Sequence, residues 1–260
     1  MTLDQQAMTP ASPAAVQVSG LGFRAGGASI LRGIDLAVPP GEFLGIIGPN
    51  GAGKTTLLNL LSGLLRPSAG RLQLAGRDVS GLGPGDRARL GLGRTFQTSL
   101  LFGALSVAEN ARLSAQAHLG GSMRWWHRPA AHDRASQAAA EALDAVGLGP
   151  LASRPAGALS HGDQRKLELA ILVASQAEVL LLDEPIAGVN SEDVPGLMEL
   201  IGGLHAAGRT VLMVEHHMAV VLGLAQRVAV LHHGQLLACA APDEVMADET
   251  VQDAYLGEPL

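Results

Sequence analysis

The sequence predicts an α/β fold in which helices cover a mainly parallel sheet. Between residues 179 and 231, short apolar runs typical of strands alternate with segments that have helical spacing. The 260 residues are 47% hydrophobic and 16% charged, a balance that supports a large buried core and argues against disorder. No apolar run approaches the roughly 18 residues that a membrane-spanning helix needs, so we expect none.

The composition also argues against several classes of protein and of binding site. The N-terminal stretch carries Asp4 and no Lys or Arg, which argues against a secretory signal peptide. Residues 1–14 are rich in Pro, Ala, Ser and Gln and predict a flexible tail, with one domain expected at residues 15–258. The single cysteine, Cys239, excludes a disulfide framework and a cysteine-based zinc site. The net charge of −6 argues against a nucleic-acid partner.

Along the first third of the chain, local patterns predict mostly strands. Pro39-Pro40-Gly41 ends the second strand, Gly48 ends the third, and Pro67 and Gly70 follow a helix. A connector rich in Gly and Arg comes next, at residues 81–93. The predicted strands are 16–23, 30–38, 43–47 and 71–74, and the predicted helix is 55–64.

The rest of the chain predicts a helical group and then the α/β alternation. Helical spacing at 107–118 and 135–146 flanks a basic, irregular segment that holds both tryptophans. Ser160 is suited to cap a third helix that runs to about residue 174. The strands that follow are 179–182, 210–214 and 228–231, and the helices between them are 194–204 and 218–224.

A glycine-rich loop between a predicted strand and a predicted helix carries the strongest chemical signal. It matches G-x-x-x-x-G-K-[ST], in which glycines let backbone N–H groups curl around phosphate oxygens and the helix adds its positive dipole end. Lys54 would reach the β- and γ-phosphates, and the Thr55 hydroxyl would bind Mg²⁺. The predicted nucleotide-binding residues are Gly48, Pro49, Asn50, Gly51, Ala52, Gly53, Lys54, Thr55 and Thr56.

A second signal is the apolar run 179–182, which ends in Asp183 and Glu184. Asp183 at the tip of a strand can hold Mg²⁺ through water, and Glu184 can orient or deprotonate an attacking water. A GTPase would need an Asn-Lys-x-Asp run, whereas Lys166, the only lysine besides Lys54, is followed by Leu-Glu. A small-molecule kinase would need an acceptor site and a lid, for which the sequence has no specific motif.

From about residue 16 to residue 255, the chain resembles the ATP-binding subunits of ABC transporters. Each short motif is weak alone, but their order and spacing make chance a poor account. The resemblance implies a P-loop NTPase with a RecA-like core, an antiparallel β subdomain and a helical subdomain at about 101–164. In chain order, the motifs are Arg94-Thr95-Phe96-Gln97, Leu159-Ser160-His161-Gly162-Asp163, Val189-Asn190 and Val214-Glu215-His216.

The resemblance also implies roles for single residues. Gln97 would touch Mg²⁺ and sense the membrane partner, Glu184 would position water, and His216 would contact the γ-phosphate. Ser160 and Gly162 would bind the ATP held by the opposite subunit, so that hydrolysis requires a dimer. ATP and Mg²⁺ are the expected cofactors.

The chain is similar to the branched-chain amino acid importer ATPases, and also to the urea and short-amide importer ATPases, in the segments 48–56, 94–97, 184–188, 215–218 and 255–257. The amino-acid branch is favoured, so the resemblance implies an importer of branched-chain or other hydrophobic amino acids, with urea or short amides as the alternative cargo. Either branch implies integral membrane permease subunits, a second ATPase subunit of the same or another chain, and an external substrate-binding protein. It also implies a peripheral position on the cytoplasmic face of the inner membrane. Two alternatives remain: a soluble ABC ATPase in DNA repair or translation, and a nucleotide-binding regulator without turnover.

The sequence departs from the family pattern at several positions. Asp163 stands where most members have Gln, and its carboxylate would repel a nearby γ-phosphate unless it points away. His217 replaces the usual Asp. Ala25 falls where the branch has an adenine-stacking Phe, so Phe23 either substitutes for it or is a core residue. The basic segment with Trp125 and Trp126 is either a surface loop or a contact with lipid headgroups or the permease.

Overall fold

The computed structural model describes residues 13–95, 100–119 and 133–256. Gln97, Trp125 and Trp126, for which the sequence predicts functions, lie outside these ranges, as does most of the predicted tail. The strands are β1 (Val16–Ala25), β2 (Ala28–Val38), β3 (Phe43–Ile47), β4 (Ala69–Leu74), β5 (Arg77–Asp78), β6 (Leu92–Arg94), β7 (Val179–Asp183), β8 (Thr210–Val214), β9 (Arg227–His232) and β10 (Gln235–Ala240). The helices are α1 (Lys54–Ser62), α2 (Pro84–Arg89), α3 (Val107–Leu119), α4 (Arg134–Ala145), α5 (His161–Ala174), α6 (Val194–Ala206), α7 (Met218–Leu224), α8 (Pro242–Ala247) and α9 (Glu249–Leu256).

Two sheets organise the described residues. The central sheet has six strands in the order β10-β9-β3-β8-β7-β6, parallel except for the β9–β10 hairpin. A four-stranded antiparallel sheet has the order β2-β1-β4-β5. This is the predicted antiparallel β subdomain beside a parallel core. In the register of the central sheet, Phe43 lies opposite Val211, and Val179 lies opposite Thr210.

The central sheet is buried on both faces, which explains why its strands read as unbroken apolar runs. Along β3, Phe43 and Ile47 belong to one hydrophobic core, whereas Leu44 and Ile46 belong to the other. The first core continues into helices α3 to α7, and the second continues into α1 and the antiparallel sheet. Alternation of side chains along each strand therefore builds two cores from one short segment.

The predicted helical subdomain lies between β6 and β7 in the chain. Helices α3, α4 and α5 pack against one another through small buried residues such as Ala111, Ala115 and Ala139. Asp133 caps α4 by accepting a hydrogen bond from the Ser136 amide, as expected for an Asp at a helix N-terminus. No described helix is both long and apolar enough to cross a bilayer, as the sequence predicted.

Two predictions of irregular structure were incomplete. The connector at 81–93 contains the six-residue helix α2 and ends in β6, an edge strand of the central sheet. Beyond residue 231 the sequence predicted no element, whereas the structure has β10, α8 and α9. Short elements of this kind carry too few residues for a periodic pattern to show.

Candidate active site

The loop between β3 and α1 has the backbone that the sequence motif requires. Gly48, Gly51 and Gly53 have positive φ angles of 149°, 77° and 103°, a region that residues with side chains rarely adopt. A Cβ at Gly48 would lie 2.1 Å from the Leu231 carbonyl oxygen, so no side chain fits there. The loop is therefore a close-fitting backbone cradle at the carboxyl end of β3.

Lys54 is the first residue of α1 and is 6% exposed. Its Nζ donates to the carbonyl oxygens of Gly48, at 2.6 Å, and Pro49, at 2.9 Å. The pKa of Lys54 lies below its usual value because the side chain is buried. The negative charges of Glu184 and Asp183 offset this effect only in part. The ammonium is thus held over the loop, close to two carboxylates.

The N-terminus of α1 offers further donors to an anion. The first hydrogen bond at this end runs from the Leu57 amide to the Gly53 carbonyl, which leaves the amides of residues 54–56 without an acceptor inside the helix. Thr55 is exposed, and Thr56 is half-buried. Free amides and a positive dipole end at the same place suit a phosphate group.

Asp183, the last residue of β7, is 2% exposed and is held by a buried arginine that the sequence analysis did not single out. Arg94 Nη2 donates to Asp183 Oδ2 at 2.9 Å. Arg94 Nη1 also donates to Asn59 Oδ1, at 2.7 Å, and to Ser62 Oγ, at 2.8 Å, both on α1. Arg94 therefore fixes the tip of β7 against the helix that begins with Lys54.

Glu184 follows directly and adopts a left-handed backbone, with φ of +48°. Its amide donates to the Val214 carbonyl at 2.9 Å, and its Oε1 lies 2.9 Å from His216 Nε2. The side chains of Glu184 and His216 are 18% and 44% exposed. Left-handed non-glycine residues are unfavourable and cluster where function requires them.

These residues converge because of the strand order. The loop follows β3, the pair Asp183–Glu184 ends β7, and His216 follows β8, which lies between β3 and β7. The carboxyl ends of parallel strands share one edge of the sheet, where α/β proteins bind ligands. The hydroxyl of Thr55 and the carboxylate of Asp183 are hard oxygen donors of the kind that Mg²⁺ prefers. Among the described residues, only Arg94 bonds to that carboxylate, through Oδ2.

Ser160 and Gly162 lie elsewhere, at the N-terminus of α5. The Ser160 hydroxyl caps this helix by accepting a hydrogen bond from the Asp163 amide, as predicted. Within the described parts of the chain, no hydrogen bond or ion pair joins Ser160 or Gly162 to the loop at 48–55. Their role at the site of an opposite subunit stays a prediction.

The structure also describes the side chains at two other departures from the family pattern. Phe23 is half-buried, pairs with Leu31 across β1 and β2, and packs against the second core, whereas Ala25 is exposed. Stacking of Phe23 on adenine stays a prediction. His217 is 68% exposed, with Nδ1 3.6 Å from Glu215 Oε2.

Family models match two parts of the chain. One, described as ABC transporter, matches residues 31–187, and the other, described as branched-chain amino acid ATP-binding cassette transporter, matches residues 235–259. The second match covers β10, α8 and α9, the segment that sequence patterns left without elements.

Two known proteins and one solved structure are similar to this chain over nearly its whole length. It is 38% identical to the high-affinity branched-chain amino acid transport ATP-binding protein LivG of Escherichia coli (strain K12), over 94% of this chain and 98% of that protein. It is 37% identical to BraF of Pseudomonas aeruginosa over the same shares. The ADP conformation of MJ1267, an ATP-binding cassette of an ABC transporter, matches with a TM-score of 0.83 and 28% identity, over 94% of this chain and 99% of that one. The predicted fold class is therefore confirmed.

Proposed function

We propose a function from one premise: the chain belongs to the ABC transporter family of ATP-binding proteins. It binds ATP with Mg²⁺ and hydrolyses it to ADP and phosphate as a subunit of a membrane importer for branched-chain or other hydrophobic amino acids. The observation that carries this proposal is the convergence of Lys54, Asp183, Glu184 and His216 at one edge of the central sheet.

The geometry supports a division of labour among these groups. The loop amides and the Lys54 ammonium bind the β- and γ-phosphates. Thr55 and Asp183 would hold Mg²⁺, which would supply positive charge against the negative charge that develops on the phosphates. Glu184 orients the attacking water or accepts its proton, and His216 contacts the γ-phosphate while hydrogen-bonding Glu184. Gln97, by resemblance to the family, touches Mg²⁺ and senses the membrane partner.

The chain works as half of an ATPase pair. Ser160 and Gly162, at the N-terminus of α5, complete the site of the opposite subunit, which is either a second copy or a sister ATPase. The 14-residue helix α5 supports this role, because its first-turn amides and dipole favour an anion. ATP binds the closed pair preferentially, and this differential affinity drives closure.

The cargo is assigned from the C-terminal match and from relatives that are named for branched-chain amino acid transport. These favour the amino-acid branch over urea and short-amide importers. The proposed partners are integral permease subunits and, indirectly, an external substrate-binding protein, with no nucleic acid. The chain then sits peripherally on the cytoplasmic face of the inner membrane.

The substitution Glu184→Gln tests the hydrolytic part of the proposal. It keeps the shape of the side chain and removes the base, so we expect ATP turnover to fall about 10²- to 10⁴-fold while an ATP-bound dimer accumulates. Turnover is measured as phosphate release, and the dimer by gel filtration with ATP. Glu178→Gln, at the exposed start of β7, is the matched control and keeps normal turnover. Wild-type turnover in Glu184→Gln would contradict the assignment.

A further inference from the structure

Glu215 is a buried carboxylate to which the mechanism above gives no role. It follows β8 directly and is 2% exposed, whereas the side chains of its neighbours His216 and His217 are 44% and 68% exposed. Each of its oxygens accepts a backbone hydrogen bond at 3.1 Å. Oε1 accepts from the Ile186 amide, and Oε2 accepts from the His216 amide.

These two amides belong to the two segments that carry the reacting groups. Ile186 lies two residues after Glu184, and His216 is the residue whose Nε2 meets Glu184 Oε1. The carboxylate of Glu215 thus joins the segment that follows β7 to the segment that follows β8. It does so from inside the protein, where water does not compete for the hydrogen bonds.

The backbone of Glu184 requires such support. Its φ of +48° is a conformation that persists only when surrounding contacts determine it. On its N-terminal side, the Glu184 amide is fixed by the Val214 carbonyl. On its C-terminal side, the Ile186 amide is fixed by Glu215. Both anchors come from the end of β8 and the residue after it, so the strained residue is held between two contacts to one rigid strand.

We infer that Glu215 is a positioning residue for ATP hydrolysis, which sets the separation between Glu184 and His216. This inference rests on the proposed function. A carboxylate suits the position because it offers two acceptor oxygens and no donor. A glutamine in its place turns an N–H₂ group toward one of the two amides. An aspartate is one methylene shorter, by about 1.5 Å, and does not reach both amides.

The test compares Glu215→Gln with Glu42→Gln in the full-length chain. Glu42 is a carboxylate that is only partly buried, and it pairs with Arg227 just before β3, at the opposite edge of the sheet. A displacement of about 1 Å of groups at a reacting centre lowers turnover about 10²-fold, so we expect the kcat of Glu215→Gln to fall about 10- to 100-fold. The KM for ATP should be unchanged, because no described hydrogen bond joins Glu215 to the phosphate loop. Glu42→Gln should keep both constants.

Two further measurements separate positioning from general stability. In Glu215→Gln, amide hydrogen exchange should accelerate at whichever of Ile186 and His216 faces the new N–H₂ group, and in Glu42→Gln it should stay unchanged at both. The effects of Glu215→Gln and His216→Ala on kcat should be less than additive, because Glu215 acts partly through His216. Should Glu215→Gln fail to fold, Glu215→Asp gives the same readings, with exchange accelerated at one of the two amides.

The outcomes distinguish this inference from the proposed function. Normal kcat in Glu215→Gln, unchanged exchange at both amides, or an equal loss in Glu42→Gln would overturn the role of Glu215. If the wild-type chain hydrolyses no ATP, the proposed function fails, and amide exchange still decides whether Glu215 holds the two segments together.

Discussion

Asp163 lies in the first turn of α5, where it bonds to the residue that caps the same helix. Its Oδ2 accepts a hydrogen bond from the Ser160 hydroxyl at 2.9 Å, and its Oδ1 lies 3.5 Å from Lys166 Nζ. The carboxylate therefore does not point away from Ser160. In the proposed contact of Ser160 with a phosphate, this carboxylate would compete for the serine proton, and Lys166, the second lysine of the chain, offsets part of its charge.

Replacing this carboxylate by the amide that most of the family carries should strengthen nucleotide binding. In Asp163→Gln, the Ser160 hydroxyl is freed and one negative charge near the incoming phosphate is removed. We expect the KM for ATP to fall about three- to tenfold, since about 1 kcal/mol corresponds to a fivefold change. Steady-state ATP hydrolysis measures it. Asp243→Asn, an exposed acid in the first turn of α8, is the control with no expected effect. An unchanged or higher KM in Asp163→Gln would contradict the competition.

At the scale of elements, α1 is held at its C-terminus by a buried side chain from another helix. Its C-terminus meets Arg87, a fully buried arginine on α2. Arg87 Nη1 donates to the Leu61 carbonyl at 2.7 Å and also to that of Leu60, and its Nε donates to Leu82. The guanidinium therefore satisfies the Leu61 carbonyl, which the helix end leaves unpaired, adds a second donor to the Leu60 carbonyl, and opposes the negative end of the helix dipole.

Removing this guanidinium should destabilise the whole domain. Arg87→Met fills part of the volume but leaves buried carbonyls without donors, so we expect the free energy of unfolding to fall by about 2–4 kcal/mol. Urea denaturation measures it. Arg89→Met, on the same helix, removes only an exposed ion pair with Asp86 and should change stability little. Equal losses in the two variants would show that the buried cap contributes nothing special.

Helix α2 carries a buried charged residue of a kind that could not be predicted from the sequence. Apolar segments of the α/β core were predicted well: the structure has β3, β8 and α7 at the predicted bounds. The loop at Lys54 and the carboxylates after β7 follow from sequence because one motif fixes both backbone and chemistry. Arg87, Arg94 and Glu215 could not be predicted, since charged residues are usually exposed and only tertiary contacts show them buried.

The C-terminal hairpin was missed for a different reason. The turn between β9 and β10 contains His233 and Gly234, with φ angles of 44° and 77°. Hairpin turns with two positive φ angles are recognised in sequence by Asn-Gly or Asp-Gly. Here a histidine adopts the conformation usually taken by Asn, so this turn has no recognisable signature and β10 was not predicted.

At the scale of the whole molecule, the two cores account for most apolar side chains, and a few large ones stay outside. Leu100 and Phe102 are 65% and 61% exposed, just before α3. The backbone of Phe102 is held by Asn110: the Phe102 amide donates to Asn110 Oδ1 at 2.9 Å, and Asn110 Nδ2 donates to the Phe102 carbonyl at 3.1 Å. Apolar side chains displayed on a fixed backbone are typical of a surface that a partner covers.

The proposed permease subunits are the expected partner of this surface, and the double variant Leu100→Ser/Phe102→Ser tests the assignment. Among the described residues, no hydrogen bond joins Leu100 or Phe102 to the phosphate loop or to the carboxylates. The purified chain should therefore keep its basal ATP hydrolysis. Copurification with integral membrane proteins in detergent should be lost, and cellular leucine uptake should fall with it. Leu64→Ser, at an exposed leucine after α1, is the matched control and should keep both copurification and leucine uptake.

Retained copurification in the double variant would reject this surface as the contact with the permease. A fall in urea uptake with normal leucine uptake would instead assign the chain to the urea and short-amide branch, because the same ATPase surface serves whichever permease binds it.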